Sequence, residues 1–109
     1  TVANLSVPSV HGGYREIAAL EASSGSQTYP TDVCGNTTYS RDYLGRNCQL
    51  PKLAPGDTLA IFDVGAYGYA MASHFLHRPR PAEVLLQAGQ HRLIRRRESY
   101  PSLILNQIF

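Results

Sequence analysis

Pro79 and Pro81 stand two residues apart in Arg78-Pro79-Arg80-Pro81, and upstream Gly65 and Gly68 bracket a single tyrosine, Tyr67. Proline lacks the backbone donor that a central strand needs, and its ring breaks a helix interior. The stretch is therefore an edge strand or a rigid extended link. Two glycines around one tyrosine point to a turn where backbone comes close to something else. No long helix or long central strand can run through this half of the chain. Short elements separated by turns are what remain.

The rest of the sequence agrees. Pro8, Gly12 and Gly13 limit any helix over Leu5–Val10 to a single turn. Tyr14–Ala22 and Thr28–Gly35 read as strands, the second interrupted at Pro30, with a flexible loop at Ser23-Ser24-Gly25-Ser26 between them. Asn36–Arg46 reads as a polar, tyrosine-bearing loop. Ala54-Pro55-Gly56-Asp57 is a turn, with proline presetting one φ and glycine admitting a positive one. Thr58–Val64 is a buried strand by its apolar content, and Ala82–Leu86 and His91–Arg95 flank Gly89 as a hairpin. Ser99 and Pro101 open a short terminal helix carrying Leu103, Ile104, Leu105 and Ile108. Many short strands with turns between them predict a mainly all-β barrel or sandwich with short helices.

Composition excludes several function classes. With 109 residues, 43% apolar and 17% charged, the chain is one globular domain or a piece of one. A net charge of +2 argues against nucleic acid as a partner. The one basic run, Arg95-Arg96-Arg97, has no aromatic ladder beside it and reads as a solvated strand end. No apolar run approaches the roughly 20 residues of a membrane span, and no signal-peptide pattern is present. Cys34 and Cys48 lack zinc-ligand spacing. They read as free thiols of a cytoplasmic protein, with a mutual bridge as the alternative. The start at Thr1 without a methionine suggests processing or a piece of a longer polypeptide.

Gly65-Ala66-Tyr67-Gly68, Ser73 and Arg78-Pro79-Arg80-Pro81-Ala82-Glu83-Val84, in that order, resemble the C-terminal signature of the fold-type III pyridoxal-phosphate (PLP) decarboxylases that act on diaminopimelate, ornithine and arginine. The resemblance is strongest to diaminopimelate decarboxylase-like members and runs from about Val2 to Tyr100. It implies a Greek-key-like β-barrel domain over residues 1–109, possibly incomplete. It also implies a partner (β/α)8 barrel domain, absent from this chain, that carries the cofactor lysine. Lys52, the only lysine, lies in Leu50-Pro51-Lys52-Leu53, a turn lead-in, and is not that residue. The resemblance further implies a homodimer with shared active sites and an amino-acid-type small-molecule substrate.

Taken alone, Tyr67 reads as a core tyrosine. With the flanking glycines and the resemblance it reads as the cofactor contact, a phenol suited to donating a hydrogen bond to an anion. A second stretch, Val33 to Gly45, resembles the family's loop whose cysteine returns a proton to the substrate carbon after carbon dioxide leaves. The acid that follows contacts the distal amino group of diaminopimelate. Those positions are Thr38 and Tyr39 here. A hydroxyl is a far poorer proton donor than a thiol, and a phenol does not pair with an ammonium as a carboxylate does. Gly35, Ser40 and Asp42 keep the loop frame, and Tyr39 and Asp42 are expected to face substrate. Cys34 precedes the glycine and reads as a small buried or half-buried thiol, with a displaced donor role as the lesser alternative.

The third stretch, Leu5 to Ile17, places Val7 and His11 where the family has a carboxylate-binding arginine and a tyrosine. Losing the guanidinium removes a bidentate clamp. His11 reads either as a substrate-facing group and proton donor or as a packed or solvent-facing histidine. His74, His77 and His91 read as surface or loop residues. Substrate positions have changed while the scaffold stays, which implies a decarboxylase of altered specificity, inactive without its barrel. The alternative is a non-catalytic regulatory or binding module that keeps the fold.

Overall fold

The computed structural model describes residues 1–22 and 25–109. Ser23 and Ser24, half of the expected flexible loop, lie outside the described residues. The elements in chain order are α1 (Val7–His11), β1 (Ile17–Ala19), β2 (Thr28–Cys34), β3 (Tyr43–Pro51), β4 (Leu59–Ile61), β5 (Glu83–Gln87), β6 (Gln90–Arg95) and α2 (Tyr100–Leu103), with single 3-10 turns at Tyr69–Met71 and Phe75–His77. Strands dominate and the helices are short, as the turn spacing requires.

The strands form antiparallel two-stranded ladders among the described residues: β1 with β4, β2 with β3, and β5 with β6. The outer pair of β1–β4 aligns Ile17 with Ile61, so that Ile17 is buried beneath the sheet. Backbone bonds from Leu20 to Thr58 (3.0 Å) and from Phe62 to Glu16 (2.9 Å) extend the pairing at both ends. Both β1 and α1 pack on β3, and Ser9 Oγ donates to the Tyr43 carbonyl at 2.8 Å to fix α1 there. Ala3, Leu5, Val7, Ile17, Leu50 and Ala72 make the small buried core.

Two expectations need correction. Residues 43–46 were expected to finish a polar loop; they open β3, the longest strand at nine residues. Gly45, Arg46 and Asn47 have poor intrinsic strand preference, but pairing with β2 overrides it. Asn47 takes φ +54° near a shift of register between Thr31 and Val33, and its N–H donates to Asp32 Oδ1 at 2.8 Å. Likewise β2 is not interrupted at Pro30, which sits opposite Gln49. Among the described residues β2 pairs with β3 alone, and an edge strand is where proline is tolerated in a sheet.

The β5–β6 hairpin forms as expected around Gly89. Gln87 pairs with Gln90, and the two turn residues, Ala88 and Gly89, have φ +50° and +71°. Positive φ at both positions matches the right-handed twist of the flanking strands. At the start of α2 the Ser99 N–H donates to Ser102 Oγ at 3.2 Å, and the Ser102 N–H to the Ser99 carbonyl at 3.1 Å.

Candidate functional site

Tyr67 follows β4 on a turn that only a particular backbone permits. Its φ is +60°, a left-handed conformation unusual for a bulky side chain. Gly68 explains how the turn closes: a Cβ there would stand 1.8 Å from the Val64 carbonyl oxygen. The ring is 64% exposed, and its hydroxyl finds no hydrogen-bond partner among the described residues. A strained backbone that thrusts an aromatic hydroxyl outward is the kind of arrangement found at ligand contacts.

The Gly35–Asp42 loop joins β2 to β3 and carries Thr38 and Tyr39, both exposed at the surface. Asp42 builds the loop from beneath. Its side chain is only 5% exposed. Oδ1 accepts the Val2 N–H at 2.7 Å, and Oδ2 accepts the Thr37 hydroxyl at 2.5 Å and the Thr37 N–H at 3.2 Å. Burial pushes this carboxyl up, but the Thr37 hydroxyl and the Val2 and Thr37 amides outweigh it and hold the group below the usual aspartate value. A Cβ on Gly35 would fall within 2.3 Å of all three Asp42 carboxylate atoms, which is why glycine and aspartate occur together here. The Gly35 N–H closes the loop on the Asp42 carbonyl at 2.7 Å.

Arg78 clamps the same loop from the other side. Its guanidinium donates to Asn36 Oδ1 at 2.6 Å and to the Asn36 carbonyl at 3.2 Å. The arginine-proline stretch was legible as an extended link, but nothing local announced its partner 42 residues earlier. Arg80 turns the opposite way. It donates to Glu98 through Nε at 2.9 Å, a terminal nitrogen at 2.7 Å and its backbone N–H at 2.9 Å. His74 Nε2 lies 2.6 Å from the same carboxylate. The Arg80 side-chain and backbone bonds, with His74 adding to them, bring the Glu98 carboxyl down to about 2. Arg95, ion-paired with Glu83, lies 4.1 Å above the Tyr69 ring. Nothing local in the sequence announces the His74–Glu98–Arg80 cluster, although all three histidines expected at the surface are there.

Between Tyr39 and the Phe75–His77 turn lies an open hollow of about 390 Å³ lined by Val2, Ser6, Val10, Tyr39, Ser73 and Phe75. It places the end of α1 beside the loop. His11, the last residue of α1, is exposed next to it in sequence. Val7, at the other changed position, has left the surface: it is 8% exposed and packs against Gly13. Among the described residues no hydrogen bond or hollow joins Tyr67, His11 and Thr38 to one another. Cys34 and Cys48 are free. Cys34 is exposed at the end of β2 rather than half-buried, and pairs with Tyr43, whereas Cys48 pairs with Thr31 and burial raises its thiol. No cluster of metal-ligating side chains occurs among the described residues. No helix among them is long and apolar enough to cross a membrane.

Residues 1–65 match the family model described as the C-terminal sheet domain of pyridoxal-dependent decarboxylases. The chain is 39% identical to the diaminopimelate decarboxylase of Methanothermobacter thermautotrophicus over 92% of its own length and 23% of that protein's. It is 35% identical to that of Aquifex aeolicus over 89% of its length and 23% of the relative's. Its fold superimposes on the crystal structure of diaminopimelate decarboxylase from Methanocaldococcus jannaschii with a TM-score of 0.91 at 35% identity, covering 99% of this chain and 24% of that one. The Helicobacter pylori enzyme complexed with L-lysine gives 0.85 at 35% identity, over 95% of this chain and 25% of that one. The chain thus spans about a quarter of the length of these relatives.

Proposed function

This chain belongs to the pyridoxal-dependent decarboxylases, by their C-terminal sheet domain, and from that premise we propose that it is the substrate- and cofactor-contacting domain of an amino-acid decarboxylase with altered specificity. A (β/α)8 barrel, in the same or another chain, supplies the cofactor lysine, and the whole works as a cytoplasmic homodimer with shared active sites. Alone, residues 1–109 are inactive. The observation that carries the reading is Tyr67: an exposed phenol with an unpartnered hydroxyl, on a left-handed backbone that Gly68 makes possible.

Tyr67 suits contact with the phosphate of PLP or with substrate, since a phenol donates one directed hydrogen bond from a stiff side chain. When bound, the cofactor supplies the electron sink for the pair released as the Cα–carboxylate bond breaks. This chain's part is to bind and orient. Asp42 and Arg78 hold the Gly35–Asp42 loop so that Thr38 and Tyr39 enter the neighbouring subunit's site. Asp42, buried and fully engaged, acts on substrate through the loop it holds. Thr38 has no proton acidic enough to replace a thiol near neutral pH. His11, exposed at the end of α1, carries an imidazole that can donate or accept a hydrogen bond.

The test uses the full-length protein, PLP and a panel of amino acids, with carbon dioxide release and cofactor binding as readouts. Expected are turnover of an amino acid better than meso-diaminopimelate and, in Tyr67→Phe, PLP binding weakened about tenfold (~1.4 kcal/mol) with unchanged Tm. If meso-diaminopimelate proves the best substrate, altered specificity is wrong. If the full-length protein neither binds PLP nor releases carbon dioxide, the domain is a non-catalytic module.

A further inference from the structure

Resting on the reading of Tyr67 as the cofactor contact, we propose that Tyr69 is a positioning residue: its ring, held by the guanidiniums of Arg95 and Arg80, anchors the turn that presents Tyr67. The turn needs such an anchor. Asp63 and Tyr67 both take left-handed φ, +53° and +60°, a conformation that persists only where the surroundings over-determine it. The turn's own bond is weak: the Gly68 N–H reaches the Gly65 carbonyl at 3.4 Å, beyond the usual range for an amide donor. Upstream, the β1–β4 pairing ends where the Phe62 N–H donates to the Glu16 carbonyl at 2.9 Å. Downstream, the Ala72 N–H donates to the Tyr69 carbonyl at 3.0 Å. Tyr69 is where that second tie begins, so support for the C-terminal end of the turn comes through it.

The ring is gripped from two separate parts of the chain. The Arg95 guanidinium of β6 lies 4.1 Å from the ring centroid, and that of Arg80, in the proline link, 5.4 Å from it. Both are within the range of cation–π attraction. Each cation is itself held: Arg95 is ion-paired with Glu83, its partner across the β5–β6 ladder, and Arg80 with Glu98 at 2.7 Å. Pro79 and Pro81 lock φ on either side of Arg80. Close packing does not join these pieces, because an open hollow of about 440 Å³ lies between them. Gly65 and Gly68 line it from the turn, Pro81 from the link, and Val84 and Ile94 from the hairpin. Tyr69, half-buried, lines the same hollow and carries the contact to Arg95.

The two tyrosines differ in the part of the phenol they use. Tyr67 offers its hydroxyl to a ligand, whereas Tyr69 offers a ring face to two cations. Attraction of a cation to a π face survives loss of the hydroxyl and fails when the ring is lost. Phenylalanine can therefore replace Tyr69 and cannot replace Tyr67.

The experiment measures PLP affinity by calorimetry and amide exchange across residues 64–72 in the full-length protein. Tyr69→Leu is expected to weaken PLP binding about fivefold, two cation–π contacts being lost, and to speed exchange by a similar factor. Tyr69→Phe should keep both readouts near their wild-type values. In the double variant, Tyr69→Leu with Tyr67→Phe, affinity should fall no further than in Tyr67→Phe alone, because Tyr69 acts through Tyr67. Arg95→Met, on the exposed hairpin, is a milder change that should move both readouts the same way by about twofold. The proposal is overturned if Tyr69→Leu leaves exchange untouched, if Tyr69→Phe behaves as Tyr69→Leu does, or if the two losses add in the double variant. Should Tyr69→Leu fail to fold, unchanged exchange in Arg95→Met overturns it equally. Failure of the parent reading looks different: Tyr67→Phe binding PLP as tightly as wild type removes Tyr67 as the cofactor contact. Faster exchange in Tyr69→Leu would then still keep the anchor, and unchanged exchange would remove it.

Discussion

Left-handed backbone at Tyr67, Leu76 and Ala88 has a different meaning at each residue. At Tyr67 it accompanies an exposed hydroxyl and a neighbouring glycine that no other residue can replace, so the strain is tied to presenting a ligand contact. Leu76 and Ala88 carry similar φ, +57° and +50°, without a side-chain role of that kind. An L-residue other than asparagine or glycine gives up about 1–2 kcal/mol in this region. Asparagine tolerates it through local hydrogen bonding. Leu76→Asn and Ala88→Asn are therefore each expected to stabilise the full-length protein by about 1 kcal/mol, read as a shift in the denaturation midpoint at constant m-value. Unchanged or lower midpoints would mean that packing of these side chains outweighs the backbone term. Gly68 was legible because close approach leaves a compositional mark, whereas a Cβ on Gly65 would meet open space. Leu76 was not, since nothing in a leucine announces positive φ.

The Gly35–Asp42 loop is an element made by tertiary contacts. Its frame residues could be picked out in the sequence, but what Asp42 does could not, because one of its partners, the Val2 amide, lies 40 residues away. The same distance problem hid the start of β3, whose residues 43–46 read as loop until β2 pairs with them. The β5–β6 hairpin was readable throughout, since its turn and its partners are local. Asp42→Asn leaves amide hydrogens facing donors and is expected to cost about 2 kcal/mol. It should also speed hydrogen exchange across residues 36–41 more than in the β5–β6 hairpin. Equal exchange in both regions would show that the loop does not depend on this carboxylate. A second tie, Glu98 to Arg80 and His74, has a pH signature. Its folded-state value of about 2 lies below the ordinary 4.5, so its contribution is complete above about pH 4.5 and fades as pH falls toward 2. Glu98→Gln should lower stability at neutral pH and flatten the acid limb between those values. A wild-type slope retained in the variant would place the acid sensitivity elsewhere, with Asp42 the next carboxyl to test.

As a whole molecule the chain is more open than its size predicts. Its radius of gyration is 15.8 Å, against about 13 Å for a compact chain of this length. Its accessible area is 8249 Å², against roughly 6,000 Å² for a compact monomer of this mass. Much of the excess is apolar: Leu86 is 77% exposed, Leu93 and Ile94 more than half, and Leu105, Ile108 and Phe109 from 79% to 99%. Leu93 and Ile94 are adjacent in β6 and so point to opposite faces of the hairpin, and the apolar content of the sequence does not say whether the cover comes from this chain. The apolar content was therefore readable and its destination was not. The chain spans about a quarter of the length of these relatives, and its accessible area exceeds what a compact monomer of this mass leaves in water. Residues 1–109 expressed alone should accordingly self-associate, with a weight-average mass in sedimentation that climbs with concentration. Leu86→Lys with Ile94→Lys, both on the exposed hairpin, should suppress that climb while leaving the β1–β4 and β2–β3 ladders intact by amide exchange. A wild-type chain that sediments as a monomer at every concentration would mean the hairpin and C-terminal segment fold back over this apolar surface in solution, and that the open arrangement is not the one the isolated chain keeps.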